Sequence, residues 1–136
     1  MIREIADSRH EIELNHTIVH AKDKRESAVF LAEILGLPEP ESFGPFLIVK
    51  TANGVSLDFM NNSGSFGMQH YAFLISEPEF DATFDRIRKR DLEYWADPAK
   101  KKIGEINHND GGRGVYFHDP SGHFLEILTV PYGGWR

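Results

Sequence analysis

Cysteine is absent from the 136 residues of this chain. Its absence excludes disulfide bonds, thiolate metal sites and a cysteine nucleophile, so histidine and carboxylate side chains remain as the only strong metal ligands. The sequence has seven histidines and 21 aspartates and glutamates. A metal site in this protein would therefore be built from imidazole nitrogen and carboxylate oxygen.

Long apolar runs and an excess of positive charge are also missing. No stretch approaches the roughly 18 apolar residues of a membrane span, and the N-terminus lacks the apolar core of a signal peptide. The 21 acidic residues outnumber the 15 basic ones, for a net charge of −6. The three lysines at 100–102 are interpreted as a solvated loop, and the other basic residues are dispersed. We therefore expect a cytoplasmic protein that binds neither nucleic acid nor membranes.

The length of the chain suits a single domain. A chain of this size buries about two thirds of its unfolded surface, which is enough for one apolar core. We expect this domain to span residues 13–130. Residues 1–12 are interpreted as an N-terminal arm and residues 131–136 as a tail.

The first half of the domain, about residues 13–62, is predicted to place a helix between strands. The run at 13–20 is typical of a strand, and the helix that follows begins after Asp23 and ends at Gly36. Two further apolar runs within 46–60 are joined by an Asn-Gly pair, a strong hairpin signal. The predicted order is strand, helix, hairpin, with room for one further short strand.

The second half, about residues 67–130, repeats this order. A strand at 68–75 precedes a helix that Ser76 opens, and a hairpin closes the unit. When the two halves are compared by eye, His16 matches His70. The pattern alone indicates an α+β fold whose sheets are rich in antiparallel strands.

The stretch at 106–126 is the most informative part of the sequence. It contains His108, then six residues, an apolar residue followed by Tyr116, an Asp-Pro-Ser-Gly turn, and Glu126. Two β-branched and aromatic runs flank the turn, which predicts two antiparallel strands. If the turn centres on Ser121, Tyr116 lies opposite Glu126, and opposed residues of such a pair share one face of the sheet.

This composite pattern resembles the signature of extradiol ring-cleavage dioxygenases. These enzymes belong to the vicinal-oxygen-chelate superfamily, which also includes glyoxalase I and the bleomycin- and fosfomycin-resistance proteins. The resemblance implies two βαβββ modules whose sheets form an open curled barrel around a metal cleft. It also implies that His16, His70 and Glu126 bind a metal ion. Two imidazoles and one carboxylate leave adjacent positions on a divalent ion open for a bidentate substrate and O₂.

The resemblance further implies what the site binds. Fe²⁺ is expected, with Zn²⁺, Ni²⁺ or Mn²⁺ as alternatives, and the substrates would be a catechol-like aromatic molecule and O₂. Tyr116 would donate a hydrogen bond to the metal-bound substrate oxygen, and His108 would contact the substrate at the mouth of the cleft. The irregular stretch at 96–112 is interpreted as a loop over the cleft. A homodimer is expected, because small two-module members commonly pair and the sheets have edges to cover.

Two other functions stay open. Extradiol enzymes usually carry an acid–base histidine on a strand before the second metal histidine, and residues 54–59 contain none. Asp58, which matches Glu126 in the comparison of the two halves, could serve as a fourth ligand in a glyoxalase-like lyase or isomerase that uses Zn²⁺ or Ni²⁺. The third hypothesis is a metal-free ligand-binding protein of the bleomycin-resistance kind. His118 and His123, which flank the turn, are expected to face solvent.

Overall fold

A computed structural model describes residues 11–134 of the protein. The predicted N-terminal arm therefore lies outside the described residues except for Glu11 and Ile12, and the predicted tail is described as far as Gly134. None of the helices within this range is long and apolar enough to cross a membrane.

The first module consists of one helix and one sheet. Its elements are β1 (His16–Ala21), α1 (Lys24–Leu35), β2 (Glu41–Phe43), β3 (Phe46–Lys50) and β4 (Ser56–Asn61). The strands are ordered β1-β4-β3-β2 in the sheet. β1 runs parallel to β4, whereas β3 is antiparallel to both β2 and β4. The parallel pair needs a long crossover connection, and α1 lies within it.

The second module repeats this arrangement. Its elements are β5 (His70–Leu74), α2 (Glu77–Lys89), β6 (Tyr94–Trp95), β7 (Gly114–His118) and β8 (Phe124–Leu128). The sheet order is β5-β8-β7-β6, with β5 parallel to β8 and the other pairs antiparallel. The predicted α+β fold of two βαβββ modules is confirmed.

The helix ends follow the sequence signals. The Asp23 side chain accepts hydrogen bonds from two backbone N–H groups in the first turn of α1. Gly36 ends that helix with φ of 68°, a left-handed conformation that side chains with a Cβ rarely adopt. At the start of α2, Ser76 and Glu79 form a reciprocal capping box. These local signals therefore determine where the two crossovers begin.

Strand register brings the predicted site residues into equivalent places. Tyr116 lies directly opposite Glu126, as predicted. His16 pairs with the first residue of β4, and His70 pairs with the first residue of β8. Asp58 and Glu126 are each the third residue of those strands. The match between the two halves of the sequence is therefore a match in the sheets.

One apolar core joins the modules. Leu125 and Ile127 of β8 belong to the same buried cluster as Phe80 and Ile87 of α2, and α1 and the first sheet contribute to it as well. Because side chains alternate along a strand, Glu126 points to the other face of the second sheet. That face, turned away from the helices, carries the candidate site.

The turn between β7 and β8 fastens the second module to the first. His123 donates through Nε2 to the carbonyl oxygen of His20 at 2.6 Å, and its Nδ1 accepts from the backbone N–H of Gln69 at 2.9 Å. The Ser121 hydroxyl accepts from the backbone N–H of Lys22 at 3.0 Å. The expectation that His123 faces solvent is wrong. It is 1 % exposed, because both ring nitrogens find partners inside the protein.

One face of β1 and one face of β5 are uncovered. The alternate residues of these strands are exposed: His16, Ile18 and His20 on β1, and His70, Ala72 and Leu74 on β5. Ile18 is 45 % exposed and Leu74 is 54 % exposed. Large apolar side chains thus share these open faces with both of the histidines predicted to bind metal.

Candidate metal centre

Glu126 and His70 form the centre of the candidate site. The Glu126 side chain is 2 % exposed, and His70 Nε2 lies 3.1 Å from its Oε1. His70 Nδ1 lies 2.9 Å from the carbonyl oxygen of Phe124. A carbonyl only accepts, so Nδ1 carries a proton, and in a neutral imidazole Nε2 then directs an unshared pair at the carboxylate. Two acceptors this close need a proton or a metal ion between them.

The spacing of these two atoms fits a shared metal ion. Bonds of about 2.0–2.2 Å from a divalent ion to an imidazole nitrogen and a carboxylate oxygen, at a right angle, place the two ligand atoms about 3 Å apart. His70 Nε2 and Glu126 Oε1 are 3.1 Å apart. The Phe124 carbonyl holds the imidazole in the tautomer that a metal ligand needs. His70 and Glu126 therefore fit as adjacent ligands.

Two phenols complete the hydrogen-bond network. The Tyr132 hydroxyl donates to the Glu126 carboxylate and lies 2.6 Å from Oε1 and 2.7 Å from Oε2. Since its own proton is directed at the carboxylate, the Tyr132 oxygen accepts from the Tyr116 hydroxyl at 3.1 Å. The Tyr116 ring also stacks on the His70 ring, with centroids 6.0 Å apart. Tyr116 thus lies beside two of the three predicted metal ligands, His70 and Glu126.

Both phenols are held in the protonated form. Burial raises the pKa of Tyr132, and its hydrogen bonds to Glu126 and Tyr116 raise that pKa further. Burial also raises the pKa of Tyr116, although the hydrogen bond to Tyr132 opposes this effect. At neutral pH each hydroxyl therefore keeps its proton and acts as a donor.

His16 lies apart from this centre within one chain. It is exposed at the start of β1, where its Nδ1 is 2.7 Å from the Asn15 side-chain oxygen. Within residues 11–134, no three or more histidine, aspartate and glutamate side chains are grouped closely enough to hold a metal ion. A single chain therefore brings together His70, Glu126 and Tyr116, but it does not add His16 to them.

Asp58 occupies the equivalent of the Glu126 position in a different environment. It is 8 % exposed and accepts a hydrogen bond from the Ser56 hydroxyl at 2.8 Å. Ile48 lies opposite Asp58, whereas Tyr116 lies opposite Glu126. The first module therefore keeps the carboxylate but lacks the phenol.

His108 lies in the irregular stretch between β6 and β7. It is exposed and lines a cavity of about 300 Å³ together with Asp97 and Lys102. It directly precedes a short 3₁₀ turn, Asn109–Gly111, in which the Asp110 carboxylate accepts from the backbone N–H of Gly133 at 3.1 Å. This stretch therefore contacts the segment that carries Tyr132. A contact between His108 and substrate stays a prediction.

Aromatic rings line the face of the second sheet beside the candidate centre. These rings, here called the ring wall, belong to His70, Trp95, Tyr116, His118 and Phe124. Phe124 contacts all the others: its ring centroid lies 5.4 Å from that of Tyr116, 6.0 Å from His70, 4.9 Å from His118 and 6.2 Å from Trp95. Trp95, Tyr116 and Phe124 form a buried cluster separate from the main core. Because these three rings are only 4–7 % exposed, a planar aromatic ligand would find stacking partners here only if the segments that cover the rings moved.

Tyr132 is the site residue that the sequence did not reveal. It belongs to the predicted tail, where residues 131–134 show neither helical nor strand periodicity. The structure folds this segment into a second 3₁₀ turn, Tyr132–Gly134, and returns the phenol to Glu126. A single tyrosine between Pro131 and Gly133 carries no local signal of such a contact.

Comparison with known proteins identifies the family. The family model described as Glyoxalase/Bleomycin resistance protein/Dioxygenase superfamily matches residues 13–127. The chain belongs to this superfamily, and the resemblance seen in its sequence is confirmed at that level.

Individual relatives include enzymes of two kinds. A solved structure of Oxidase ChaP-H1 is 63 % identical, with a TM-score of 0.89, and the match covers 90 % of this chain and 99 % of that one. Metallothiol transferase FosB of Lysinibacillus sphaericus (strain C3-41) is 26 % identical over 125 residues, 85 % of this chain and 81 % of that relative. Metallothiol transferase FosB of Shouchella clausii (strain KSM-K16) is 40 % identical over 62 residues, which span 44 % of this chain and only 37 % of that relative's length.

Proposed function

We propose that this protein is a metal-dependent oxygenase of the extradiol type, which binds Fe²⁺ and acts on a catechol-like aromatic substrate. The observation that carries the proposal is the approach of His70 Nε2 to the buried Glu126 carboxylate, with the Tyr116 phenol beside both. The 63 % identity to a protein named as an oxidase supports oxidative chemistry. Histidine and carboxylate ligands suit Fe²⁺ and leave positions open for O₂.

The contacts of Tyr132 support a phenolic substrate. Its hydroxyl donates to the Glu126 carboxylate and lies at hydrogen-bond distance from the Tyr116 hydroxyl. The chain's own phenol thus lies where an aromatic hydroxyl has partners for both of its hydrogen bonds. After Tyr132 withdraws, a catechol hydroxyl would lie beside Tyr116 and would bind the metal ion that His70 and Glu126 hold.

The third metal ligand is proposed to come from a second copy of the chain. His16 is exposed on β1, and His70 is half-exposed on β5, each on a face that nothing within residues 11–134 covers. Ile18 and Leu74 lie on the same two faces and would lose contact with water in a dimer. A homodimer that lays β1 of one copy against β5 of the other would bring His16 to the His70–Glu126 pair.

Each side chain at this site would have a separate role in the reaction. The metal ion, held by His16, His70 and Glu126, would bring substrate and O₂ together at adjacent positions. Tyr116, protonated because burial raises its pKa, would donate to the substrate oxygen and stabilise the charge that develops there. The buried Glu126 carboxylate would offset the charge of the ion.

O₂ uptake with a panel of catechols tests the proposal, after the protein is loaded with Fe²⁺ under anaerobic conditions. Replacing Tyr116 with Phe removes one hydrogen bond to a charged group, which is worth about 1.5–3 kcal/mol, so turnover should fall by roughly ten- to a hundredfold. Iron content should not change. Tyr94→Phe is the matched control, because Tyr94 lies on the same sheet but packs against Phe84 in the core.

Two results would contradict the proposal. One is an iron-loaded wild type that consumes no O₂ with any catechol. The other is a Tyr116→Phe variant that turns over as fast as the wild type. Either result would give precedence to a glyoxalase-like activity or to ligand binding without chemistry.

A further inference from the structure

Lys100 places a positive charge on the ring wall. Its Nζ lies 5.0 Å from the centre of the Trp95 ring and 5.1 Å from the centre of the Phe124 ring, and it donates to His118 Nε2. His118 Nδ1 is directed at the carbonyl oxygens of Gly122 and His123, both at 3.2 Å, so Nε2 is free to accept. Lys100 is exposed in a loop, as expected, but its ammonium group lies over these rings, and His118 is half-buried beneath it.

The backbone around Lys100 is shaped to hold this position. Lys100 adopts φ of 60°, in the left-handed region that residues other than glycine seldom occupy. The Asp97 side chain accepts from the backbone N–H groups of Lys101 and Lys102, which closes the turn on either side. Strained residues of this kind persist where the surrounding structure fixes them, and they cluster at ligand sites.

Among residues 11–134, the ammonium group of Lys100 has neutral partners only. Within residues 11–134, the lysine and arginine ion pairs involve Lys89, Arg90 and Arg113, and none involves Lys100. The contacts of Lys100 are an imidazole nitrogen and two ring faces. An anion would form a stronger, charge-assisted hydrogen bond with this group than the imidazole does.

The ring of Phe124 links this charge to the metal centre. The same ring lies 5.1 Å from Lys100 Nζ, 5.4 Å from the Tyr116 ring and 6.0 Å from the His70 ring. A planar molecule that stacks along this wall would meet Tyr116 and Glu126 at one end and Lys100 at the other.

We propose that Lys100 determines substrate specificity by binding an anionic group, such as a carboxylate, on the aromatic ring of the substrate. The identity of that ring as a catechol rests on the proposed function. Because the rings of the wall are nearly buried, substrate would reach them only if the turn that carries Lys100 and the segment that carries Tyr132 both shifted. The substrate class is thus an aromatic acid with vicinal hydroxyl groups.

Binding of two matched catechols tests this proposal. Calorimetric titration of the Fe²⁺-loaded protein without O₂ would compare 3,4-dihydroxybenzoate with 4-methylcatechol, which differ in a carboxylate and a methyl group. We expect the acid to bind about tenfold more tightly to the wild type, as for one charge-assisted hydrogen bond. Lys100→Met should abolish that preference, Lys100→Arg should retain most of it, and Lys101→Met, which removes a neighbouring charge, should leave it unchanged.

A second pair of ligands separates this proposal from the proposed function. 2-Naphthoate and 2-naphthamide offer the same choice between an anionic and a neutral group, but they lack vicinal hydroxyls. If neither catechol binds while 2-naphthoate is preferred through Lys100, the anion site stands and the catechol assignment fails. If both catechols bind equally well, or if Lys100→Met keeps the wild-type preference, the role of Lys100 is refuted whatever the O₂ assay shows.

Discussion

Removing the Tyr132 hydroxyl should destabilise the metal-free protein through Glu126. In Tyr132→Phe, a carboxylate with a side chain 2 % exposed loses a donor that lies 2.6 Å from one of its oxygens and 2.7 Å from the other. A hydrogen bond to a charged group is worth about 1.5–3 kcal/mol. Tyr132 is itself 54 % exposed, so water can replace part of this bond. We therefore expect a loss of about 1–2 kcal/mol in the free energy of unfolding.

Urea unfolding at pH 7 in the presence of a chelator measures this loss. The midpoint should fall while the dependence on urea concentration stays constant, because the change does not alter the surface exposed on unfolding. The matched experiment repeats the substitution in a Glu126→Gln background, where the acceptor is neutral and the bond is worth about half as much. Equal losses in the two backgrounds would refute the reasoning, as would no loss in either.

The other predictions concern the metal, the dimer and the fold. His70→Ala should abolish stoichiometric metal binding, measured by elemental analysis, and a folded variant that retains a full equivalent would rule out the ligand assignment. Inactive His16→Ala and His70→Ala proteins, unfolded and refolded together, should regain about a quarter of wild-type activity if each site uses two copies. No recovery would mean that the copies do not share a site. Gly112→Ala should cost about 1–3 kcal/mol of stability, because its Cβ would lie 2.6 Å from Thr129 Oγ1. Gly67→Ala, with open space around it, serves as the control and should cost much less.

The hairpin that carries Tyr116 and Glu126 was predictable because its register is set locally. The turn between β7 and β8 has a recognisable sequence, and the flanking runs are rich in β-branched and aromatic residues, which favour strands. Once the turn is placed, the pairing of Tyr116 with Glu126 follows from counting residues. The equivalence of His16 and His70 was predictable in the same way, since the two modules repeat one order of elements.

The contacts made by polar residues in irregular segments could not be predicted. His123, Lys100 and Tyr132 each lie in a turn or in the tail, where composition favours exposure. Their partners are distant in sequence or are backbone groups, as when His123 bonds the carbonyl oxygen of His20. These contacts depend on how the whole chain folds, and the spacing of apolar residues in the sequence gives no sign of them. His16 shows a different limit, because a site of the kind proposed, shared between two copies, cannot assemble in one chain.

The bonds of His123 also bear on how a ligand reaches the ring wall. If the modules of one chain swung apart, this buried imidazole would lose its bond to the β1 backbone, and an unsatisfied buried group costs about 1–3 kcal/mol. The paired modules therefore act as a stiff frame. The segments that lie over the rings are held by weaker contacts, since Tyr132 is about half exposed and Lys100 is exposed. The rate of ligand entry should therefore depend on how fast the segments that carry Tyr132 and Lys100 move away from the rings. Substitutions in these two segments should change that rate, whereas substitutions that change the stability of the apolar core should not.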